Sequence, residues 1–251
     1  MSESTVTRAE YVVLACAEIF SGAGEIMASP MSTSSTIGAR LARLTTEPDL
    51  LITDGEALIL EDTPAVGTKG PVEGWMPFRK VFDVVASGRR HVVMGANQLD
   101  RHGNQNLSAF GPLQQPTRQM FGVRGAPGNT INHATSYFVP KHSKRVFVDK
   151  VDVVCGVGYD QIDPENPAYK YLNIPRVVTN LGVFDFGGPG NTFRALSLHP
   201  GVTAEEVAEN TSFEVAGLAE AGITRDPTAE ELHLIRETLD PRNLRDREVS
   251  A

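Results

Sequence analysis

Three short stretches of the sequence carry residue types that could do chemistry. Asp54-Gly55-Glu56 follows the apolar run Leu50-Leu51-Ile52-Thr53, and a carboxylate at a strand end can act as a nucleophile or as a general base on water. Arg124-Gly125-Ala126-Pro127-Gly128-Asn129 can bring the backbone close to a ligand and turn N–H groups toward an anion or a developing oxyanion. Between them, Gly95 to Ser108 holds Gln98, Asn104 and Asn106 among glycines, amide side chains that could support the other two. Each stretch also has a purely structural reading, because Asp-Gly is a common turn dipeptide and most Gly-Pro-Gly sequences are only turns.

Other chemistries find no matching pattern. Gly122, Gly125 and Gly128 lack the G-x-G-x-x-G spacing of a dinucleotide site. None of the six histidines forms an HExxH or short ligand pair, so no metal is expected. There is no Gly-x-Ser-x-Gly elbow for a serine nucleophile. His102 and His133 sit in turn-rich segments, where scaffold hydrogen bonding is the commoner role.

The elements that must position these residues alternate in kind. Thr7-Arg-Ala-Glu10 is a capping box, and Tyr11, Leu14, Ala15 and Ile19 continue at helical spacing to about residue 20. Ser32 to Thr45 reads as a second helix, Leu50 to Thr53 as a strand, and Phe78, Val81, Phe82 and Val85 as a helix ended by Ser87-Gly88. Glu61 to Pro77, rich in Gly and Pro, reads as a long loop whose Trp75 packs in a core or an interface. His91 to Met94, Tyr137 to Val139, Arg145 to Val154 and Arg176 to Thr179 are β-branched strand candidates. Asn180 to Phe186 leads into a Gly187-Gly-Pro-Gly190 bend, and Thr203-Ala-Glu-Glu206 and Thr228-Ala-Glu-Glu231 are further capping boxes. The expected fold is α/β, a mainly parallel sheet with helices on both faces, with residues 1–251 as one domain.

Composition bounds the function. The 251 residues are 41% hydrophobic and 22% charged, ordinary for a globular chain, and the net charge of -8 lacks the basic stripe of a nucleic-acid binder. An anionic ligand must then be met locally, with Arg118, Arg124 and the cluster Lys141-His-Ser-Lys-Arg145 as donors or, for the cluster, as a solvated loop. Cys16 and Cys155 lie in apolar segments and suggest no disulfide framework. No run approaches the ~18 apolar residues of a membrane span and no signal peptide is evident, so the expected location is the cytoplasm.

The order of motifs resembles a known family. Gly95-Ala-x-Gln98-x-Asp100-x-x-Gly103-Asn-x-Asn106-x-Ser108, Gly125-Ala-x-Gly128, Thr179-Asn-Leu-Gly-Val-Phe-Asp-Phe186, His199-Pro-Gly-Val-Thr203 and Asn210-Thr-x-Phe213 resemble the β subunits of class I, glutaconate-type coenzyme A transferases over nearly the whole chain. In that family a glutamate at the Asp54 position forms an acyl anhydride and then a thioester with coenzyme A. Asp54 is one methylene shorter, and displacements near 1 Å matter for such an attack; Glu56 is the alternative carboxylate. The chain is most similar to a branch that includes Trp75-Met-Pro-Phe78 and Val123-Arg-Gly-Ala-Pro-Gly-Asn129, the β subunits of hydrolases that open the last carbocyclic ring of a steroid as its coenzyme A thioester.

The resemblance implies an obligate partnership with an α subunit, as a dimer of αβ pairs, with the general base on the α subunit and no cofactor other than the coenzyme A of the substrate. This chain would contribute Asp54, orienting water or a substrate group, and Arg124, Gly125, Ala126, Gly128 and Asn129 around the substrate or oxyanion. Two alternatives stay open: a transferase acylated on this chain, and a non-catalytic structural subunit.

Overall fold

The computed structural model describes residues 6–53, 58–120, 122–163 and 165–249. Helix α1 (Arg8–Glu18) begins at the expected box: Thr7 accepts the Glu10 N–H, and the Glu10 carboxylate accepts the Thr7 N–H at 2.9 Å. Strand β1 (Met27–Pro30) leads into α2 (Thr33–Leu44), capped by Ser32, and β2 (Leu51–Thr53) follows. Strands β3 (Leu58–Leu60) and β4 (Val72–Trp75), helix α3 (Phe78–Ser87) and strand β5 (Arg90–Met94) come next.

Two small hairpins then form from β6 (Gln98–Leu99) with β7 (Gln105–Asn106) and β8 (Ala109–Phe110) with β9 (Arg118–Gln119). Helix α4 (Ala126–Asn132) feeds β10 (Ala134–Val139), and β11 (Val177–Thr179), β12 (Gly182–Asp185) and β13 (Arg194–Leu198) complete the central chain. Helix α5 (Ala204–Glu209), β14 (Gly222–Ile223) and α6 (Ala229–His233) follow, α6 running into a π-helical turn at Leu234–Leu239.

Ten strands make one sheet in the order β14-β13-β12-β11-β10-β5-β1-β2-β3-β4. Its centre, β11-β10-β5-β1-β2, is parallel throughout. Antiparallel pairs extend it on both sides, β11-β12-β13 and β2-β3-β4, and β14 adds parallel to β13 at one edge, so the α/β, mainly parallel expectation holds. Successive strand side chains point to opposite faces, and the central residues divide accordingly. Ala28, Val93, Phe138 and Val178 join α1, α2 and Ile235 in one core. Val92, Met94, Tyr137, Val139, Val177 and Phe184 join Ala126, Phe147 and Phe193 in the other.

Three expectations are corrected. The segment 61–77 is not one loop, because β4 pairs with β3 as an edge strand. Arg145 to Val154 is not a strand: the Ser143 carbonyl accepts both the Val146 and Phe147 N–H at 2.9 Å, curling the chain. Its apolar residues serve a layer over the sheet instead, with Phe147 fully buried and stacked 3.9 Å from the His142 ring. At Thr203 the side chain accepts the Glu206 N–H at 3.2 Å, but the reciprocal bond of a capping box, present at Thr7, Ser32 and Thr228, is absent there among the described residues.

A buried ionic cluster ties the C-terminal segment to α1. Glu10 meets Arg236 at 2.6 Å and Arg245 at 3.2 Å, and Arg245 meets Asp240 at 3.0 Å. Burial pushes the Glu10 carboxyl up, but its hydrogen bonds with Arg236 and Thr7 and the two guanidinium charges outweigh this and hold it below the usual range.

Three buried imidazoles are held neutral. His91 bonds Ser136, His142 lies between Thr179 and Thr211, and His199 lies between Thr224 and the Thr179 carbonyl. Burial lowers them to about 4, about 3 and about 4 respectively. In the unfolded chain an imidazole binds its proton near pH ~6.5, so between these values the unfolded state holds more protons than the folded one. Their stabilisation is therefore complete above about pH 6.5 and is lost as pH falls toward about 4, with a limiting slope of ~4 kcal/mol per pH unit for three protons. Urea unfolding across that range is expected to show this loss, and an unchanged unfolding free energy would contradict it.

Candidate active site

Parallel strands deliver their carboxyl ends to one edge of a sheet, and open α/β sheets place ligands there. At that edge Met31 follows β1, Gly95, Ala96 and Asn97 follow β5, and Val139, Pro140 and Lys141 end β10; with Leu107, Arg124, Phe138 and Val146 they line an open cavity of about 570 Å³. Its floor is apolar, and Arg124 and Lys141 are exposed at its margin. Arg124 has a left-handed backbone, φ 49°, which costs a non-glycine residue on the order of 1 kcal/mol and fixes where its guanidinium leaves the chain. Since β2 runs parallel to β1, with Ala28 beside Ile52, its carboxyl end emerges at the same edge. Asp54 and Glu56, which follow β2 in sequence, lie outside the described residues.

The 124–129 stretch is not the backbone-exposing loop its composition suggests. Residues from Ala126 onward form α4, and of the expected contacts in this stretch Arg124 alone lines the cavity among the described residues. Gly125 is exposed, and its N–H meets no acceptor among the described residues. The Ala126 N–H is engaged by the Val123 carbonyl at 3.1 Å. Gly128 admits α3: a Cβ there would come within 2.8 Å of Val85 Cγ1. Asn129 is buried, its Oδ1 accepting from Arg90 at 2.7 Å and its Nδ2 donating to Met94 Sδ at 3.2 Å, so it faces the core rather than the cavity.

Gln98, Asn104 and Asn106 form the scaffold behind the floor. Asn106 Nδ2 donates to Gln98 Oε1 at 2.6 Å and to the Ala109 carbonyl at 2.8 Å, while its Oδ1 accepts the Ser108 N–H at 2.9 Å. Gln98 Nε2 donates to Asp152 at 3.0 Å. Asn104 Nδ2 donates to Asp100 at 2.9 Å and Asp160 at 2.8 Å, and its Oδ1 accepts the Gly158 N–H. Burial raises the Asp100 carboxyl, against the hydrogen bonds it accepts from Asn104 and His102. Gln105, absent from the expected set, donates to the Gly95 carbonyl at 2.5 Å and so holds the floor directly. Met31 was also missed as a cavity residue, whereas Lys141 comes from the basic cluster expected as a candidate anion donor; Arg118, from the same expected set, does not line the cavity.

No family model matches the chain. The "Cholesterol ring-cleaving hydrolase IpdB subunit" of Rhodococcus jostii (strain RHA1) is 82% identical over 252 residues, with 100% of both chains covered. The chain belongs to the IpdB family. A chain of the crystal structure of Rhodococcus jostii RHA1 IpdAB superposes with a TM-score of 0.97 over 99% of this chain and 100% of that one, at 82% identity. Outside the IpdB family, a subunit of the 3-oxoadipate CoA-transferase of Pseudomonas knackmussii is 31% identical over 219 residues, covering 79% of this chain and 80% of its own. Glutaconate coenzyme A-transferase from Acidaminococcus fermentans shares the fold at a TM-score of 0.79 and 22% identity, covering 96% of this chain and 97% of its own. The motifs from Gly95 to Phe213 thus marked an IpdB-family chain on a coenzyme A transferase fold.

The scaffold yields a test. Asn106→Ala removes an amide that is fully buried and leaves Gln98 Oε1, the Ala109 carbonyl and the Ser108 N–H short of partners. The expected loss is on the order of 2–4 kcal/mol of unfolding free energy, read by denaturant titration. A change below about 0.5 kcal/mol would mean that the network does not hold the cavity floor.

Proposed function

We propose that this chain is the β subunit of a heteromeric hydrolase that opens the last carbocyclic ring of a steroid carried as its coenzyme A thioester. The observation that carries this reading is the 82% identity with the IpdB subunit over the full length of both chains. The cavity at the parallel strand ends, apolar within and cationic at its margin, supports it. An apolar floor suits a steroid-derived ring, and Arg124 and Lys141 suit the anionic groups of coenzyme A or a substrate carboxylate.

The reaction is of the retro-Claisen type. A base activates water, hydroxide adds to the ring ketone β to the thioester, and the bond between that carbon and the thioester α-carbon breaks. Its electron pair becomes an enolate, which is then protonated at carbon. The general base is a glutamate of the α subunit, while Asp54 orients water or a polar group of the substrate. Arg124 and the adjoining Gly125 N–H stabilise developing negative charge, a contribution that grows in a site closed from water. Ala126, Gly128 and Asn129 act beneath them: the α4 turn, its approach to α3, and the Arg90 contact hold Arg124 in position.

The α subunit is expected against the β4 edge. Val72, Trp75 and Phe82 are 49%, 71% and 61% exposed on β4 and α3, and an edge strand with large apolar side chains calls for a cover. The complete assembly is a dimer of αβ pairs. Trp75→Glu is expected to leave this chain folded and weaken its association with the α subunit by ~30-fold or more, the scale of an interface hot spot, as measured by sedimentation of the mixed chains. Unchanged association would move the interface elsewhere.

The transferase alternative draws on the 31% identity with a 3-oxoadipate CoA-transferase chain, and Asp54 separates the two readings. Asp54→Glu restores the carboxylate length of a transferase nucleophile. In a hydrolase it crowds the water position, so the purified complex should lose ~10-fold or more of its ring hydrolysis and gain no transfer to acetate or succinate. Arg124→Ala should raise KM at near-native stability. Wild-type transfer activity, or a borohydride-trapped thioester on this chain, would establish the transferase instead.

A further inference from the structure

A second cavity, of about 450 Å³, lies at the opposite, amino-terminal ends of β5 and β10. Its walls include Ala86, Ser87 and Arg89 from the end of α3 and the segment after it, Arg90 and His133 at the two strand starts, and Tyr171. Five residues of β5, about 16 Å of strand, separate Arg90 from the cavity at Gly95, so this is a different site.

Two buried groups here are left incomplete. Arg90 is 6% exposed and His133 is 3% exposed. Arg90 gives one hydrogen bond, to Asn129, its Nε has no partner, and no carboxylate pairs with it among the described residues. His133 meets the Val85 backbone through its ring, while its Nε2 has no partner. A guanidinium withdrawn from water without a counter-charge is strongly unfavourable, and a second unsatisfied nitrogen in the same cavity adds to the cost.

The geometry points to a carboxylate-binding site, in which the carboxylate lies against the Arg90 guanidinium and the His133 ring, the ring taking up a proton as the carboxylate binds. Burial and the Arg90 charge otherwise hold that ring neutral. A carboxylate fits better than a phosphate dianion, because the C-terminal end of α3 forms one wall. The partial negative charge of helix carbonyls opposes a second negative charge. The carboxylate comes either from a small molecule or from an aspartate or glutamate side chain of the α subunit.

The test uses the complex of this chain with its α subunit. Thermal midpoints are compared in sodium acetate and in sodium chloride at equal ionic strength. For a free carboxylate, acetate raises the wild-type midpoint, Arg90→Lys keeps part of the rise, and Arg90→Met and Ala86→Trp abolish it. Ala86 is an exposed wall residue, so that variant obstructs the cavity without touching the buried pair. For a partner side chain, acetate has no effect, and Arg90→Met and Ala86→Trp each weaken subunit association by ~30-fold or more, as loss of a buried charge pair does. If Arg90→Met does not fold, the wild-type titration and Ala86→Trp decide. The proposal is overturned by an acetate response that survives in Ala86→Trp, or by no response together with unchanged association.

Discussion

The parallel pairing of β1, β5 and β10 is the constraint on which the rest of the structure depends. A strand bonded to a parallel neighbour on each side has no free edge, and with a core on each face it has no free surface. Its residues must therefore satisfy two environments in alternation, as Val92 and Met94 do on one face and Val93 on the other. Parallel strands also require every connection to return over a face of the sheet. Helix α2 makes that return between β1 and β2, and α3 between β4 and β5. All the carboxyl ends then leave at one edge, so loops distant in sequence meet there without any attraction between them.

Double burial of the central strands decides which parts of the fold could be read from the residues. The helices α1 and α2 were legible because Thr7 and Ser32 cap them and the apolar spacing behind each cap is regular. Strands β2, β5, β10 and β11 were legible as apolar and β-branched runs, but β1, Met27-Ala-Ser-Pro30, has no β-branched residue and was not read. The segment around Phe147 misled because the same composition serves a buried layer that makes no ladder, and periodicity cannot tell the two apart when both faces are covered. Strand β4 was hidden because Gly74 and an exposed Val72 and Trp75 give it no alternation. The order of the family motifs, in contrast, was robust to every one of these local errors.

The candidate site was less legible than the fold, for a different reason. Gly125, Gly128 and Asn129 have the composition of a ligand loop, yet Gly128 is needed for close approach to Val85, and Asn129 for Arg90. Small residues and amides are selected by backbone proximity and by buried donors as much as by ligands. Gln98, Asn104 and Asn106 illustrate this again, since each has its hydrogen-bonding capacity largely used within the protein. Such groups cannot turn to a substrate without abandoning a buried partner. They preorganise the floor of the cavity, which is a different service from contacting what lies in it.

Enclosure is what one chain by itself cannot supply. A catalytic pocket that strengthens charge stabilisation must exclude water, and the cavity at the strand ends is open on its outer side, with Met31 60% exposed beside Arg124 and Lys141. Arg124 is exposed in that setting, and an exposed guanidinium stabilises negative charge far less than one in a low-dielectric enclosure. Covering the cavity with an α subunit would remove water from Met31 and the cationic margin together. Catalysis and assembly are then linked: a partner that covers the apolar edge at Val72 and Trp75 can also close the cavity at the strand ends.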